Sequence, residues 1–324
     1  MPTTVAQALK LDEQNGNTYW QDAIEKEIGA LMKLNCFEFH PKDFIPTQDY
    51  QKTKLMMVFD VKNDLRRKAR LVAQGQLVDI LDHVIYSSTC KHISIRLLTV
   101  IAQKSNLKIL CGDIGNAYVN ATTNEKVYCK AGLEFGPKYK DQIVIIKKAL
   151  YGLASSSERW HTTLANTLRS DGWHPTRYDR DVWIRLHKPS KTYEYVCTYV
   201  DDFMIFSRNP DSIMAWFKSK FQIKGDGSPE YYLGNDYKKT PNDLWSVGCK
   251  KYIKDALAKV QDIHGNIEKR NNPCDADIHL ECDTTPLLDL KEHRQYQQLV
   301  GILNWVMQIG RIDIAYAAVS LAFL

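Results

Sequence analysis

Residues 195–206 read Tyr-Val-Cys-Thr-Tyr-Val-Asp-Asp-Phe-Met-Ile-Phe and place two adjacent acids, Asp201 and Asp202, between two apolar runs. Runs rich in β-branched and aromatic residues predict strands at 195–200 and 203–206. A tight turn between them would present both acids at its tip. Two interpretations stay open from these residues alone. One is a solvated hairpin turn, since Asp is a common turn residue; the other is a cation site, since half-buried adjacent acids need a compensating charge.

A third acid favours the cation site. Asp113 lies near the end of a strand predicted over residues 107–114. If that strand pairs close to the hairpin, three carboxylates converge, and carboxylates together with water and phosphate oxygens are the ligands that magnesium prefers. Two such ions about 4 Å apart clamp the attacking and leaving oxygens of an in-line phosphoryl displacement. The three acids therefore predict a two-metal site for phosphoryl transfer.

The remaining pattern mixes helices with strands. Apolar residues at helical spacing predict helices at 19–34, 92–103, 157–170, 211–221, 251–260 and 296–308, and apolar runs predict further strands at 55–61, 71–73 and 143–146. Thr18 and Gln21 have the spacing of a capping box at the first helix. Ile93, Leu97, Val100 and Ile101 form the apolar stripe of the second. This order predicts an α+β fold with an antiparallel sheet packed on helices, rather than a doubly wound one.

Composition bounds the function. The chain has 324 residues, 44% of them apolar, and a net charge of +5, which suits about two domains and is compatible with a polyanionic partner. We find no signal sequence and no apolar run of the roughly 20 residues that a bilayer span needs. The eight cysteines form no CxxC pair, which favours reduced thiols in the cytoplasm or nucleus and argues against secretion. Cys274, His279 and Cys282 are interpreted as loop residues rather than a metal cluster.

Several motifs occur in the order of a known family. Tyr199-Val-Asp-Asp202 resembles the catalytic hairpin of reverse transcriptases, and Cys111-Gly-Asp-Ile-Gly-Asn-Ala-Tyr118 resembles the strand that supplies their first catalytic aspartate. Nearly the whole chain resembles the copia type of retrotransposon enzyme. The segments that carry this resemblance are Trp20 to Leu31, Val58-Phe59, Arg67-Lys-Ala-Arg-Leu-Val72, Val127-Tyr128, Lys148-Ala-Leu-Tyr-Gly-Leu153, Arg159-Trp160, Tyr232-Leu-Gly234 and Arg311-Ile-Asp-Ile-Ala315.

The resemblance implies a fingers–palm–thumb polymerase. Fingers would occupy residues 1–105, a palm with the catalytic aspartates residues 106–240, and a thumb or connection residues 241–324. We find no ribonuclease H, protease or integrase motif, so we expect an excised domain or a fragment of an element. Two departures from the usual pattern stand out. Ala154-Ser-Ser-Ser157 stands where a Lys-Gln pair is usual, which we expect to alter template contacts, and Ile312 stands where Pro is usual.

The resemblance also assigns roles residue by residue. The ring of Tyr118 would reject a ribose 2′-hydroxyl, with a core aromatic as the alternative. Lys68 and Arg70 would grip the incoming triphosphate, with a solvated turn as the alternative for them and for Arg66 and Arg67. Lys224 competes with Lys218 and Lys220 as general acid. The implied set is catalytic and metal-binding Asp113, Asp201 and Asp202, metal-binding Ile114 through its backbone, nucleotide-binding Lys68, Arg70, Tyr118 and Gly152, and primer-binding Tyr232, Leu233 and Gly234.

The implied activity is RNA-directed and DNA-directed DNA polymerisation, in which a dNTP is transferred to a primer 3′-hydroxyl with two Mg²⁺ ions, or Mn²⁺ in their place. RNA template, DNA primer and product, and dNTPs would be the partners. A homodimer is also compatible with the resemblance, and no membrane is expected. We expect the protein in the cytoplasmic virus-like particle of the element or in the nucleus. Two alternatives remain: an inactive remnant that only binds nucleic acid, and another palm-type nucleotidyltransferase such as a cyclase, which would leave Tyr232-Leu-Gly234 unexplained.

Overall fold

The structure is a computed structural model, and it describes residues 1–62, 64–79, 85–273 and 286–322. Cys274, His279 and Cys282 lie outside the described residues. The chain divides into two units. The first contains Met1–Cys90, Gly112–Met204 and Ser212–Gly225, and the second contains Lys91–Cys111, Ile205–Asp211 and Asp226–Leu324.

Helices and strands are interleaved along the chain, which confirms the mixed α+β class. The helices are α1 (Val5–Asn15), α2 (Tyr19–Lys33), α3 (His92–Ser105), α4 (Ser156–Ser170), α5 (Pro210–Lys220), α6 (Lys250–His264), α7 (Leu290–Ile309) and α8 (Ala315–Leu321). The strands are β1 (Phe37–His40), β2 (Gln51–Lys52), β3 (Leu55–Val61), β4 (Arg67–Ala73), β5 (Lys108–Ile114), β6 (Thr122–Lys130), β7 (Ile143–Lys148), β8 (His174–Pro175), β9 (Val182–His187), β10 (Thr192–Tyr199), β11 (Asp202–Ser207), β12 (Ile223–Gly227), β13 (Tyr231–Tyr232), β14 (Asn235–Lys239) and β15 (Trp245–Gly248).

In the first unit, a four-stranded sheet of order β1-β7-β6-β2 and the β3-β4 hairpin share one core with α2. Helix α2 buries Trp20, Ile24, Ile28 and Leu31 at the predicted helical spacing. The rings of Trp20 and Phe59 meet edge to face at 5.3 Å and join α2 to β3. This contact holds the hairpin against the helix, which matters because β4 carries the predicted triphosphate-binding cations.

The start of α2 differs from the prediction. Thr18 makes no side-chain capping bond, because its hydroxyl is donated to Asp22 at 3.2 Å. The first amides of the helix are satisfied instead by Asp12, whose carboxylate accepts from the N–H groups of Trp20 and Gln21. Asp12 is buried and lies on α1, so a carboxylate from the preceding helix has replaced the local cap.

A six-stranded sheet has the order β12-β5-β11-β10-β9-β8, and β9 is antiparallel to both β8 and β10. Strands β5 and β11 lie very close together, since a Cβ added to Gly112 would stand 2.8 Å from the ring of Phe203. Phe203 stacks on Phe217 of α5 at 4.2 Å. The sheet is therefore packed on a helix, and the predicted pairing of the Asp113 strand with the hairpin is present.

The second unit contains α3, the three-stranded sheet β13-β14-β15 and helices α6 to α8. Helix α3 has the predicted position but not the predicted inward face. Ile93, Leu97 and Val100 are exposed, whereas the buried side chains of α3 are Ile95, Leu98, Thr99 and Ala102. Arg96 donates to the carbonyl of Gln308 on α7 at 2.7 Å, so partners of α3 inside this unit set its orientation.

Within the described ranges, every helix is too short or too polar to cross a lipid bilayer.

Candidate active site

The predicted hairpin is formed by β10 and β11, with Val200 and Asp201 as its two turn residues. Val200 has a φ of 56°, a left-handed conformation that β-branched residues rarely adopt. Its carbonyl accepts a hydrogen bond from the Trp160 indole N–H at 2.7 Å. Trp160 is buried on α4, so a hydrogen bond from a rigid, buried side chain holds the strained turn in place.

A main-chain hydrogen bond brings the third acid to this turn. The N–H of Ile114 donates to the carbonyl of Asp201 at 2.7 Å. Asp113 precedes Ile114 in β5, and it therefore lies at the hairpin tip. Because the bond uses backbone atoms, the meeting of β5 with the turn does not depend on the acidic side chains themselves.

Two of the three acids, Asp113 and Asp202, have a raised pKa. Burial, with the neighbouring charges of Asp201 and Asp113, raises the pKa of the Asp202 carboxyl to about 7. Burial and then the charge of Asp201 raise the pKa of Asp113, while Lys224, Lys68 and Lys62 act in the opposite direction. Half-buried carboxylates at close quarters resist joint ionisation. A divalent cation would relieve this repulsion, and carboxylate oxygens are the donor set that suits magnesium.

The side chains do not form a closed coordination group as they stand. Across the part of the chain that the structure describes, no three His, Cys, Asp or Glu side chains are grouped closely enough to hold a metal ion. The carboxylate oxygens are of the kind that suits a divalent cation. Their present positions do not surround one, so the side chains would have to turn toward a cation when it binds.

Lys68 and Arg70 lie on one face of β4, because alternate residues of a strand share a face. Ala69 and Leu71 point into the core, and Arg70 is exposed. The Arg70 guanidinium lies 5.3 Å from the ring centroid of Tyr151. Burial, followed by repulsion from Arg70 and Lys62, lowers the pKa of Lys68. Both cations thus lie on strand positions and not in a loose turn, and the charge of Lys68 lowers the pKa of Asp113.

Arg66 and Arg67 differ from each other. Arg66 pairs with Asp64 at 2.6 Å, and both are well exposed, which fits the solvated-turn alternative. Arg67 instead lies over the Trp20 ring at 5.2 Å from its centroid, so it packs on the core side of β4.

Lys224 is the lysine that the structure places beside the acids. Its ammonium stands 3.1 Å from where a Cβ on Gly115 would lie, two residues after Asp113, and its charge lowers the pKa of Asp113. Lys218 and Lys220 lie in the last turn of α5 and are exposed. The arrangement favours Lys224 among the three lysines.

Glu27 is a site-supporting residue that residue-level reasoning missed. Its Oε1 accepts the Leu71 N–H of β4 at 3.2 Å. Burial raises the pKa of Glu27, and Arg70, Lys68 and Lys224 lower it by smaller amounts. The available signal was an acid within the apolar helix predicted at 19–34. Glu27 fixes the free edge of the strand that carries Lys68 and Arg70.

We expect Glu27→Gln to weaken the pH dependence of stability. Because the folded protein holds the Glu27 proton more tightly than the unfolded chain, the contribution of Glu27 to stability is greatest below the ordinary value of 4.5 and is lost as pH rises through the raised pKa. The side chain of the variant at position 27 cannot ionise, so the free energy of unfolding of the variant should fall less as pH rises. Urea unfolding from acidic to neutral pH measures the difference. Glu25→Gln, an exposed change on the same helix, should follow the wild type; identical slopes for all three proteins would contradict this assignment.

Gly152 is required by a close backbone approach. Its φ is 92°, and an added Cβ would stand 2.0 Å from the carbonyl oxygen of Ala73. The N–H of Ala73 in turn donates to the carbonyl of Tyr151 at 2.7 Å. The loop after β7 is therefore seated directly on the end of β4, which gives a packing reason for a glycine besides the predicted approach to the nascent base pair.

Tyr232, Leu233 and Gly234 lie in the second unit. Only Tyr232 belongs to a strand, and Leu233 and Gly234, with φ of 47° and 85°, form the turn from β13 to β14. A Cβ on Gly234 would lie 3.1 Å from the indole nitrogen of Trp305 on α7. The predicted primer-binding strand is thus a hairpin turn seated on a helix.

Comparisons with known proteins agree with the resemblance. A sequence model described as reverse transcriptase (RNA-dependent DNA polymerase) matches residues 45–269. The Transposon Ty1-DR1 Gag-Pol polyprotein of Saccharomyces cerevisiae is 26% identical over 323 residues, covering 93% of this chain and 18% of the relative. The Truncated transposon Ty1-A Gag-Pol polyprotein of the same yeast is 25% identical, covering 93% and 26%. The chain therefore spans about a quarter or less of the curated relatives it matches.

Among solved structures, the foamy viral protease-reverse transcriptase dRH in complex with ds DNA matches with a TM-score of 0.46 and 13% identity, over 88% of this chain and 40% of that one.

Proposed function

The chain belongs to the reverse transcriptase (RNA-dependent DNA polymerase) family, and from this membership we propose that it extends a DNA primer on an RNA or DNA template with dNTPs. The observation that carries the proposal is the Ile114 to Asp201 main-chain bond, which places acids from distant parts of the chain at one turn. Such a group of acids matches what two-metal phosphoryl transfer needs.

Asp113, Asp201 and Asp202 would hold two Mg²⁺ ions, or Mn²⁺ in their place. Ile114 would contribute its carbonyl oxygen, since its N–H is already donated to Asp201. When bound, these ions supply charge neutralisation at the phosphates and a lowered pKa of the attacking hydroxyl. The raised pKa of Asp202 shows how strongly the protein alone disfavours three ionised acids at this point.

The cations beside the acids suit the triphosphate of the incoming nucleotide. Arg70 offers a planar fork that binds phosphate oxygens in pairs, and Lys68 adds a second positive charge on the same face of β4. Lys224 would donate a proton to the departing pyrophosphate. In this proposal Gly152 lies near the nascent base pair, and Tyr232, Leu233 and Gly234 hold the primer end.

The larger layout is also proposed. Residues 1–105 would serve as fingers, 106–240 as palm and 241–324 as thumb or connection. RNA template and DNA primer would be bound mostly through phosphate contacts, so affinity should fall as salt rises. We further propose that the protein acts in the virus-like particle of its element or in the nucleus, alone or as a homodimer.

Primer extension tests the function. Purified protein with Mg²⁺, a primed RNA template and dNTPs should lengthen the primer. Template binding without extension would favour the inactive remnant. Nucleotide turnover that needs neither primer nor template would favour a cyclase-type enzyme.

We expect Tyr118→Ala to raise ribonucleotide incorporation relative to deoxynucleotide incorporation by about tenfold or more, as for other changes of pocket shape. The ring is half-buried and lies 4.6 Å from the ring of Tyr151, which supports a position at the border of the site over that of a core aromatic. The ratio of kcat/KM for ATP and dATP on a primed template measures the effect. Tyr178→Ala, at a residue 88% exposed, is the control, and an unchanged ratio in Tyr118→Ala would remove the gate assignment.

A further inference from the structure

The hydroxyl of Tyr118 has a defined partner. Ser157, in the first turn of α4, donates its Oγ–H to the Tyr118 hydroxyl oxygen at 3.3 Å. One side of the same ring meets Tyr151. The ring is thus restrained by one aromatic contact and by one hydrogen bond at its far end.

A small cavity borders Tyr118. A cavity of about 20 Å³ is lined by Tyr118, Ser157, Trp160, His161 and Asp181, among others, which is room for about one water molecule. Asp181 is 1% exposed, and it bonds His161 at 2.6 Å. Because the described side chains leave this small cavity unfilled and part of its wall is polar, the packing of these side chains alone does not fix the ring on this side.

Ser157 belongs to the segment that departs from the family pattern, residues 154–157. The hydroxyls of the other two serines do not bond Tyr118. The hydroxyl of Ser156 is donated to the carbonyl of Leu150 at 2.6 Å, and the hydroxyl of Ser155 is buried without a hydrogen-bond partner among the described residues. Of the three serines, Ser157 is the one whose side chain reaches Tyr118.

We propose that Ser157 is a specificity-determining positioning residue. Its hydroxyl holds the Tyr118 ring where the ring excludes a ribose 2′-hydroxyl, and without this bond the ring moves toward the cavity. The inference rests on the proposed function of Tyr118. It assigns the altered segment to sugar selection, in contrast to the template contacts expected from the sequence.

A double-mutant cycle tests the bond from both ends. Ser157→Ala and Tyr118→Phe each remove one partner and keep the ring, so each should lower the dATP to ATP preference by about fivefold, the typical effect of one hydrogen bond. The double variant should be no worse than either single one, because both remove the same interaction. Ser157→Thr keeps the hydroxyl and should retain the wild-type preference.

The readouts are the kcat/KM ratio of dATP to ATP on a primed template and the ratio of their dissociation constants on a primer that lacks a 3′-hydroxyl. The second ratio does not require turnover. Thr167→Ala is the matched control, since that hydroxyl is bonded to the carbonyl of Thr163 within α4, and its preference should be unchanged.

Each outcome is decisive. A wild-type preference in Ser157→Ala, or independent additive losses in the double variant, would overturn the role of Ser157 while the polymerase stands. If Tyr118→Ala also keeps the wild-type preference for dATP over ATP in both readouts, Tyr118 does not select the sugar, and Ser157 then has no role in positioning it for that purpose. If extension is absent but Ser157→Ala still lowers the binding preference, the inference stands and the proposed activity does not.

Discussion

Asp201→Asn is expected to lower primer extension by at least about a thousandfold, equivalent to about 4 kcal/mol of lost transition-state stabilisation. The change removes one negative charge from the group that would hold the divalent ions, and leaves the side-chain shape unchanged. The fold should survive, because Ile114 bonds to the backbone carbonyl of Asp201 and not to its carboxylate. Affinity for a primed template should stay within about twofold, since it comes mainly from phosphate contacts elsewhere.

Extension of a labelled primer and a salt-matched binding titration measure these two quantities. Asp113→Asn should behave in the same way, because the charges of Asp113 and Asp201 interact and both acids would hold the same ions. Asp22→Asn removes an equal charge from an exposed position on α2 and should leave extension unchanged. Full activity in Asp201→Asn would show that the chemistry lies away from the hairpin.

Gly152→Ala is expected to lower the free energy of unfolding by about 2 to 4 kcal/mol, the range of a severe local clash. The new methyl group would stand 2.0 Å from the carbonyl oxygen of Ala73, in a backbone conformation with φ of 92° that disfavours alanine. The strand end and the loop must separate to relieve the contact. Since β4 carries Lys68 and Arg70, extension should fall together with stability.

Urea unfolding gives the change in stability, and Gly29→Ala is its control. Gly29 lies within α2, and an added Cβ would meet nothing within 4 Å. That variant should be more stable by about 0.5 to 1 kcal/mol, because alanine is the better helix former. A Gly152→Ala protein as stable as the wild type would mean that the loop is not seated on β4.

The sequence predicted the fold reliably where a hydrophobic pattern allows few arrangements of the strands. Strand β5 and the β10-β11 hairpin are short apolar runs ending in acids, and two strands of that kind have few ways to meet. The meeting of Asp113 with the hairpin followed from that pattern, the fold class followed from the order of helices and strands, and the family followed from the resemblance of the motifs.

Three other features depend on partners that local pattern cannot reveal. Helix α3 was located correctly, but its apolar stripe at Ile93, Leu97 and Val100 is exposed, since periodicity identifies a helix without saying which face meets its neighbours. Thr18 lost its capping role to Asp12, a residue six positions earlier in the chain. The bond from Ser157 to Tyr118 likewise joins residues that are far apart in the sequence.

The left-handed backbone of Val200 should make position 200 respond differently to two kinds of laboratory selection. A left-handed backbone suits glycine or asparagine better than valine, so selection for heat resistance alone should replace Val200 early. Selection for fast primer extension should retain Val200, because a more mobile turn would position the Asp201 carboxylate less accurately. The two selection regimes should therefore yield different residues at position 200 from the same starting library.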